Sequence, residues 1–349
     1  MLYKLLSVSK HKKVSEINIG DYIQALASSQ YYPQIDGFLD RDEDLKDYNG
    51  EPCKMIMNGW YMHNTQNWPP TNKITPLFVA FHLNILAQKE LTNPASISYL
   101  KKHEPIGCRD IDTMNLLKEK GINAYFSGCM TLTLGKKYHS SEKENKTYIV
   151  DPLLEANMGI KEIFEAIKEF IKYPFDIIRL ITNRGLRIHP GKNLLKKFLK
   201  TSLYHKEYSK LFSRELVMNS IYICQQSKHY KKDFKTDMEL LSEAERLIKL
   251  YAKAKLVITS RIHCALPCLG LETPVIFLRK ANDIKASSCR FNGLADLFNT
   301  IIVKGETLIP TFTINFQKGE LPVNKQDWKI LANSLNERCD QFIKNNNEL

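Results

Sequence analysis

Short apolar runs alternate along this chain with stretches in which apolar residues recur every three or four positions, the pattern of strands laid between amphipathic helices. In the first half, residues 3–8, 55–57, 77–81, 105–108 and 124–126 read as strands, and 21–30, 94–102 and 110–120 as helices. A polar, charged stretch over 135–146 reads as a linker, and the pattern then restarts. Strands are expected at 148–150, 177–182, 221–224, 256–259 and 275–278, with helices at 160–171, 194–203, 239–254 and 262–269. Residues 324–345 read as a polar helix crossing back to the first half. Two such series predict an α/β fold of two Rossmann-like, doubly wound domains facing a central cleft. The first spans 1–143, the second 144–323, and helix 324–349 joins the first. A length of 349 residues fits two cores better than one.

Composition narrows the class. With 43% hydrophobic and 25% charged residues the chain is globular, not disordered. Its 50 Lys and Arg against 38 Asp and Glu give a net charge of +12. That excess admits an anionic substrate, an anionic membrane or nucleic acid. The basic residues are spread out, and no helix-turn-helix, zinc-finger or aromatic RNA-binding pattern accompanies them, so no nucleic-acid partner is expected. The eight cysteines have no disulfide or zinc rhythm. Cys264 and Cys268 lie one helical turn apart but lack a second Cys/His pair, so no metal is expected. No apolar run approaches the ~18 residues of a membrane span. Lys4 interrupts the apolar start and no cleavage site follows, so a signal peptide is not expected. The fitting compartment is the cytoplasm, including the inner face of the membrane; the Asn145-Lys146-Thr147 sequon is then a chance match.

The chemistry concentrates after the run Leu256-Val257-Ile258-Thr259. Ser260, Arg261 and His263 follow within four positions, and Ile262, Ala265, Leu266 and Leu269 continue with helical spacing. A strand leading into a helix places these groups at the carboxyl end of a sheet, where α/β proteins bind anions. The bland alternative is an ion-pairing arginine and a satisfied helix histidine. Asn18, Gly20 and Asp21 stand in a similar turn, where Asp21 is either a helix cap or a site residue. Arg109 follows another strand end and either enters the crevice or pairs on the surface, while Asp110 caps the next helix. Gly59 and Trp60 end a strand, and Trp60 is either a sugar platform or a core side chain. His82 is either a base or a structural histidine. The basic, amphipathic segment 189–212 is either a peripheral membrane contact or a solvated face over a core stripe.

Taken in order, these pieces resemble the polysaccharide pyruvyl transferase family. The match is strongest over Val257-Ile258-Thr259-Ser260-Arg261-Ile262-His263, continuing through Gly270-Leu271-Glu272-Thr273-Pro274-Val275-Ile276. Asn18-x-Gly20-Asp21 and Ile106-Gly107-x-Arg109-Asp110 support it. The chain departs from the family at Asn58-Gly59-Trp60, where a glycine pair or triplet is usual, and at Ile262, where leucine is usual. A basic residue expected after Val275-Ile276 falls on Lys280, Lys285 or Arg290 without a choice among them.

The resemblance implies a fold like that of the GT-B glycosyltransferases, phosphoenolpyruvate as co-substrate, no other cofactor, and a sugar acceptor, free or lipid-linked. The product would be a cyclic pyruvyl ketal in polysaccharide or lipid-linked oligosaccharide synthesis. Arg261, His263, Ser260 and Arg109 would hold the donor, which carries about three negative charges that arginine forks can match. Asn18, Gly20, Asp21, Gly59 and Trp60 would face the acceptor, and His263, Asp21 or His82 would move protons. The rival is a nucleotide-sugar glycosyltransferase of the same architecture, with Glu239, Glu243 or Glu245 gripping ribose.

Overall fold

The computed structural model describes residues 1–10, 15–188, 193–281 and 291–345. It has a Rossmann-like α/β fold organised by two sheets. In the first, five parallel strands lie in the order Leu2–Tyr3, Cys53–Tyr61, Ile74–Leu83, Ile106–Cys108, Ala124–Phe126. The second runs Ile221–Ile223, Thr147–Val150, Leu256–Thr259, Val275–Lys280, Asn299–Lys304, Thr307–Pro310. Its pairs are parallel except the last, an antiparallel edge. Every residue of Leu256–Thr259 is buried, because helices cover both faces of a parallel sheet. That is why the sequence shows unbroken apolar runs there, not alternation.

Most expected elements form within a few residues of their anticipated bounds. The run over 3–8 splits into Leu2–Tyr3, in the first sheet, and Leu5–Ser7, which pairs with Phe38–Asp40. The strand expected at 177–182 is instead a helix, Pro174–Thr182. Proline suits its first turn, and Ile177 and Leu180 turn inward at helical spacing. The helix expected at 194–203 runs on to Phe212, burying Leu199, Leu203, Tyr204, Tyr208 and Phe212. The stretch 135–146 opens with a helical turn, Gly135–Tyr138.

A continuous apolar core joins the elements around the two sheets. Ile23 and Leu26 of the Ile19–Ser29 helix share it with Leu247 and Ile248 of Asp237–Ala252 and with Leu266 and Leu269 of Ile262–Gly270. The C-terminal helix, Trp328–Lys344, contributes Trp328 and Leu335. That helix also touches the side of the first sheet: Tyr31 donates to Asn336 at 2.5 Å, and Lys54 Nζ to the Phe342 carbonyl at 2.8 Å. A strand pairing also crosses between the halves, Ile17–Asn18 antiparallel to Gln226–Ser227.

At one point backbones meet with no room for a side chain. A Cβ on Gly270 would stand 2.3 Å from the Leu132 carbonyl oxygen, and one on Gly135 would stand 2.0 Å from the Gly270 carbonyl. Neither neighbour is a flexible side chain. Gly270→Ala is therefore expected to destabilise the fold by about 3 kcal/mol, the upper part of the overpacking range, measured by urea denaturation.

Candidate functional site

Strand ends from both sheets converge on a cleft of about 320 Å³. Asp40 leads into Arg41 and Asp42, Cys108 into Arg109, Ile223 into Gln225 and Gln226, and Thr259 into Ser260 and Arg261. This is the crevice outside the carboxyl ends of parallel strands, where α/β folds place ligands. Asn18, Asp21, Trp60, Arg109, Ser260, Arg261 and His263 all line it. Gly20, Gly59 and His82 do not form part of its wall.

The Arg261 guanidinium is held from behind. Its Nε donates to Asp151 Oδ2 at 2.7 Å and its Nη1 to Gln226 Oε1 at 3.0 Å. The same Asp151 oxygen accepts from the Gln225 N–H at 2.9 Å, and Ser260 Oγ donates to the Asp151 carbonyl at 2.5 Å. Arg261 is thus both an ion-pairing residue and a wall of the cleft. His263 lies in the first turn of its helix with φ −84° and ψ 19°, outside helical geometry. Its Cβ would be 3.0 Å from a Cβ on residue 20, so Gly20 serves the site by letting the histidine come close.

The helix Ile19–Ser29 is capped by Asn18, whose Oδ1 accepts from the Gly20 N–H at 3.1 Å. Asp21 is therefore not the cap; it sits in the first turn and faces the cleft. Burial pushes its carboxyl above the ordinary value, Arg41 and Arg109 pull it back, and Asp42 raises it again. Arg41 is committed to Asp42, with Nη2 at 3.0 Å from Oδ2, and lies 5.1 Å over the Trp60 ring. Burial alone would raise the Asp42 carboxyl, yet Arg41 and the N–H groups of Asn64 and His63 hold it below the usual range. Trp60 is half-buried, with one face beneath Arg41.

Arg109 differs from these arginines. It is 4% exposed, its backbone N–H is fixed by the Phe81 carbonyl at 2.9 Å, and it lines the cleft. Among the described residues no carboxylate forms an ion pair with it and no acceptor hydrogen-bonds its side chain. His82 supports it from beneath. Buried at the end of Ile74–Leu83, His82 shares a 2.5 Å hydrogen bond with Asp110 through Nδ1. Asp110 caps the Ile111–Glu119 helix by accepting from the Thr113 N–H at 2.9 Å. His82 thus braces the turn that carries Arg109 and does not line the cleft. Burial alone would raise the Asp110 carboxyl, but the His82 hydrogen bond and charge hold it below its ordinary value.

The remaining candidates separate in the same way. Glu239 closes a capping box with Thr236, Glu243 pairs with Arg246, and Glu245 pairs with Lys249, so none grips a ligand in the cleft. Lys280 pairs with Glu155 at 3.3 Å and is not in the cleft wall. Lys285, Arg290 and Cys289 lie outside the described residues, as do residues 189–192 of the basic segment. Cys264 and Cys268 are buried in the apolar core. Among the described residues no three His, Cys, Asp or Glu side chains are grouped to hold a metal ion. Sequence reasoning missed Arg41, Asp42, Asp151, Gln225 and Gln226. The signal for Asp151 was available: it directly follows an apolar run over 148–150, the same strand-end position that singled out Arg261.

A family model described as polysaccharide pyruvyl transferase matches residues 18–280, a span containing Asn18, Asp21, Arg109, Asp151, Arg261 and His263. The chain belongs to the polysaccharide pyruvyl transferase family. Membership makes it a transferase of polysaccharide biosynthesis and does not favour the nucleotide-sugar glycosyltransferase reading. A crystal structure titled as that of a functional uncharacterized protein, KP1_0663, from Klebsiella pneumoniae subsp. pneumoniae NTUH-K2044 is similar over 84% of this chain and 88% of its own. The identity is 11% and the TM-score 0.41. No curated protein matches the sequence. Among the described residues no helix is long and apolar enough to cross a membrane.

The raised Asp21 carboxyl makes a testable statement about stability. Because burial opposes its charge, Asp21 contributes most when protonated. That contribution is complete below its ordinary value of 3.8 and is lost as pH rises through the higher folded value. Asp21→Asn is therefore expected to be at least as stable as the parent at pH 7, with the difference closing towards pH 4. Urea denaturation at the two pH values checks this; a variant clearly weaker at pH 7 would show that pairing with Arg41 outweighs burial.

Proposed function

We propose that the cleft transfers the enolpyruvyl group of phosphoenolpyruvate onto two hydroxyls of one sugar, forming a cyclic pyruvyl ketal and releasing phosphate. The observation that carries this reading is Arg109, a buried cleft arginine that makes no direct ion pair with a carboxylate among the described residues. Asp21 and Asp110 act on it only at longer range, and burying a guanidinium without a direct ion pair is costly, so such a group fits a site completed by an anionic ligand. The donor offers a carboxylate and a phosphate, and arginine can grip either bidentately.

The other residues take complementary parts. Arg261, aimed by Asp151 and Gln226, presents its remaining edge to the donor, with Ser260 beside it. Asp21, kept protonated to higher pH than an exposed aspartate, gives its proton to the methylene carbon and leaves an oxocarbenium-like centre. One sugar hydroxyl bonds to that centre and its proton returns to Asp21. A second hydroxyl of the same sugar then bonds to the same carbon as the carbon–phosphate oxygen bond breaks. The last proton leaves with phosphate through His263. Asn18 and Trp60 wall the acceptor side. In this reading the two sheets are the cores of two Rossmann-like domains arranged as in the GT-B enzymes, with the reaction in the cleft between their strand ends.

Calorimetric titration of phosphoenolpyruvate, set beside UDP-sugars, tests this reading. The parent protein binds phosphoenolpyruvate, Arg109→Gln weakens binding by about ten- to a hundredfold, the worth of one or two charge-assisted hydrogen bonds, and Arg261→Ala weakens it too. Binding of a UDP-sugar with no binding of phosphoenolpyruvate would overturn the proposal.

A further inference from the structure

The helix Ile160–Lys172 buries little of its own surface: among its residues Ala166 alone is fully buried. Ile160, Phe164, Ile167 and Ile171 recur every three or four positions on one side and are 90%, 67%, 43% and 73% exposed. The next helix, Pro174–Thr182, extends the face with Phe175 and Ile178, 84% and 50% exposed. Leu194 and Leu195, also exposed, precede Phe198, whose ring meets that of Phe170 at 4.8 Å, so they adjoin the same end. Contiguous exposed apolar side chains on this scale mark an interaction surface.

The charges around the face indicate what covers it. Three of the four acidic residues of these helices are matched by basic side chains of the protein, Glu162 being the exception. Glu165 pairs with Lys206 at 3.1 Å, Glu169 with His205 at 2.6 Å, and Asp176 with Arg214 at 2.5 Å. Lys161, Lys168, Lys172 and Arg179 are exposed, and among the described residues none of them is ion-paired. By helical spacing the three lysines run along one edge of the stripe. A second copy docking face to face would oppose these four cations with Glu162 as the one carboxylate of these helices not already paired among the described residues.

We propose that residues 160–178, together with Leu194 and Leu195, seat the protein on an anionic lipid surface, the apolar stripe entering the headgroup boundary and the lysine edge meeting lipid phosphates. This contact lies mainly on the neighbouring helices and takes in only Leu194 and Leu195 of the segment 189–212, whose later apolar positions Leu199, Leu203, Tyr208 and Phe212 are buried. It stands apart from the reaction assigned to the cleft.

Co-sedimentation of the full chain with vesicles tests it. The protein is expected to sediment with phosphatidylglycerol-containing vesicles, far less with pure phosphatidylcholine, and less at high salt. The double variant Phe164→Ser, Phe175→Ser is expected to lose at least about tenfold in binding, as is the triple variant Lys161→Glu, Lys168→Glu, Lys172→Glu. Both should melt like the parent by circular dichroism, since these side chains are exposed. Phe164→Trp should show a blue shift in emission on anionic vesicles. Absence of vesicle binding, binding indifferent to these substitutions, or a dimer in sedimentation velocity that Phe164→Ser dissociates would overturn the proposal.

Discussion

The cleft depends on one carboxylate. Asp151 stands at the end of Thr147–Val150 with a left-handed backbone, φ 43°, a conformation aspartate tolerates better than most residues. From there its Oδ2 accepts from both Arg261 and the Gln225 N–H. Gln225 in turn accepts from the Ile19 N–H at 2.9 Å, and Gln226 pairs with Asn18 across the antiparallel strands. A single side chain therefore fixes the signature arginine, the loop after the neighbouring strand and the start of the first helix. Asp151 is almost wholly buried, so this pair is screened less than the surface ion pairs that contribute about 0–1 kcal/mol.

That framework accounts for the charge distribution around the ligand space. Glu16 is matched by Arg187, Asp42 by Arg41, and Asp151 by Arg261. Arg109, buried and held from beneath by the turn that His82 and Asp110 brace, is the arginine of the wall left without such a match among the described residues. Asp21 sits between Arg41 and Arg109 with its charge opposed by burial. An unmatched cation beside a carboxyl disposed to hold its proton suits chemistry that binds an anion and protonates it.

The strand–turn–helix around Leu256–Thr259 was legible in sequence because a strand buried on both faces leaves an unbroken apolar run ending in polar residues. The same rule misread residues 177–182. Their helix buries Ile177 and Leu180 while Phe175 and Ile178 remain apolar on the outside, and apolar residues on both sides imitate a buried strand. Asp21 looked like a cap because it opens a helix, whereas Asn18 already satisfies that role and leaves Asp21 to the cleft. His82 carried no signal separating a base from a brace, since its partner Asp110 is 28 positions away. Arg41 follows a three-residue strand, Phe38–Asp40, too short for periodicity to reveal. The family signature pointed to the cleft through Arg261; the ion pair that aims Arg261 required the fold.

The central claim is that Arg109 and Arg261 form one anion site at the converging strand ends. A crystal structure of the protein soaked with phosphoenolpyruvate tests it most directly. The account predicts density for the donor in the cleft, with the Arg109 guanidinium on its carboxylate or phosphate and His263 and Ser260 adjacent. Donor density bound elsewhere, or a cleft in which Arg109 turns away from the bound anion, would contradict it.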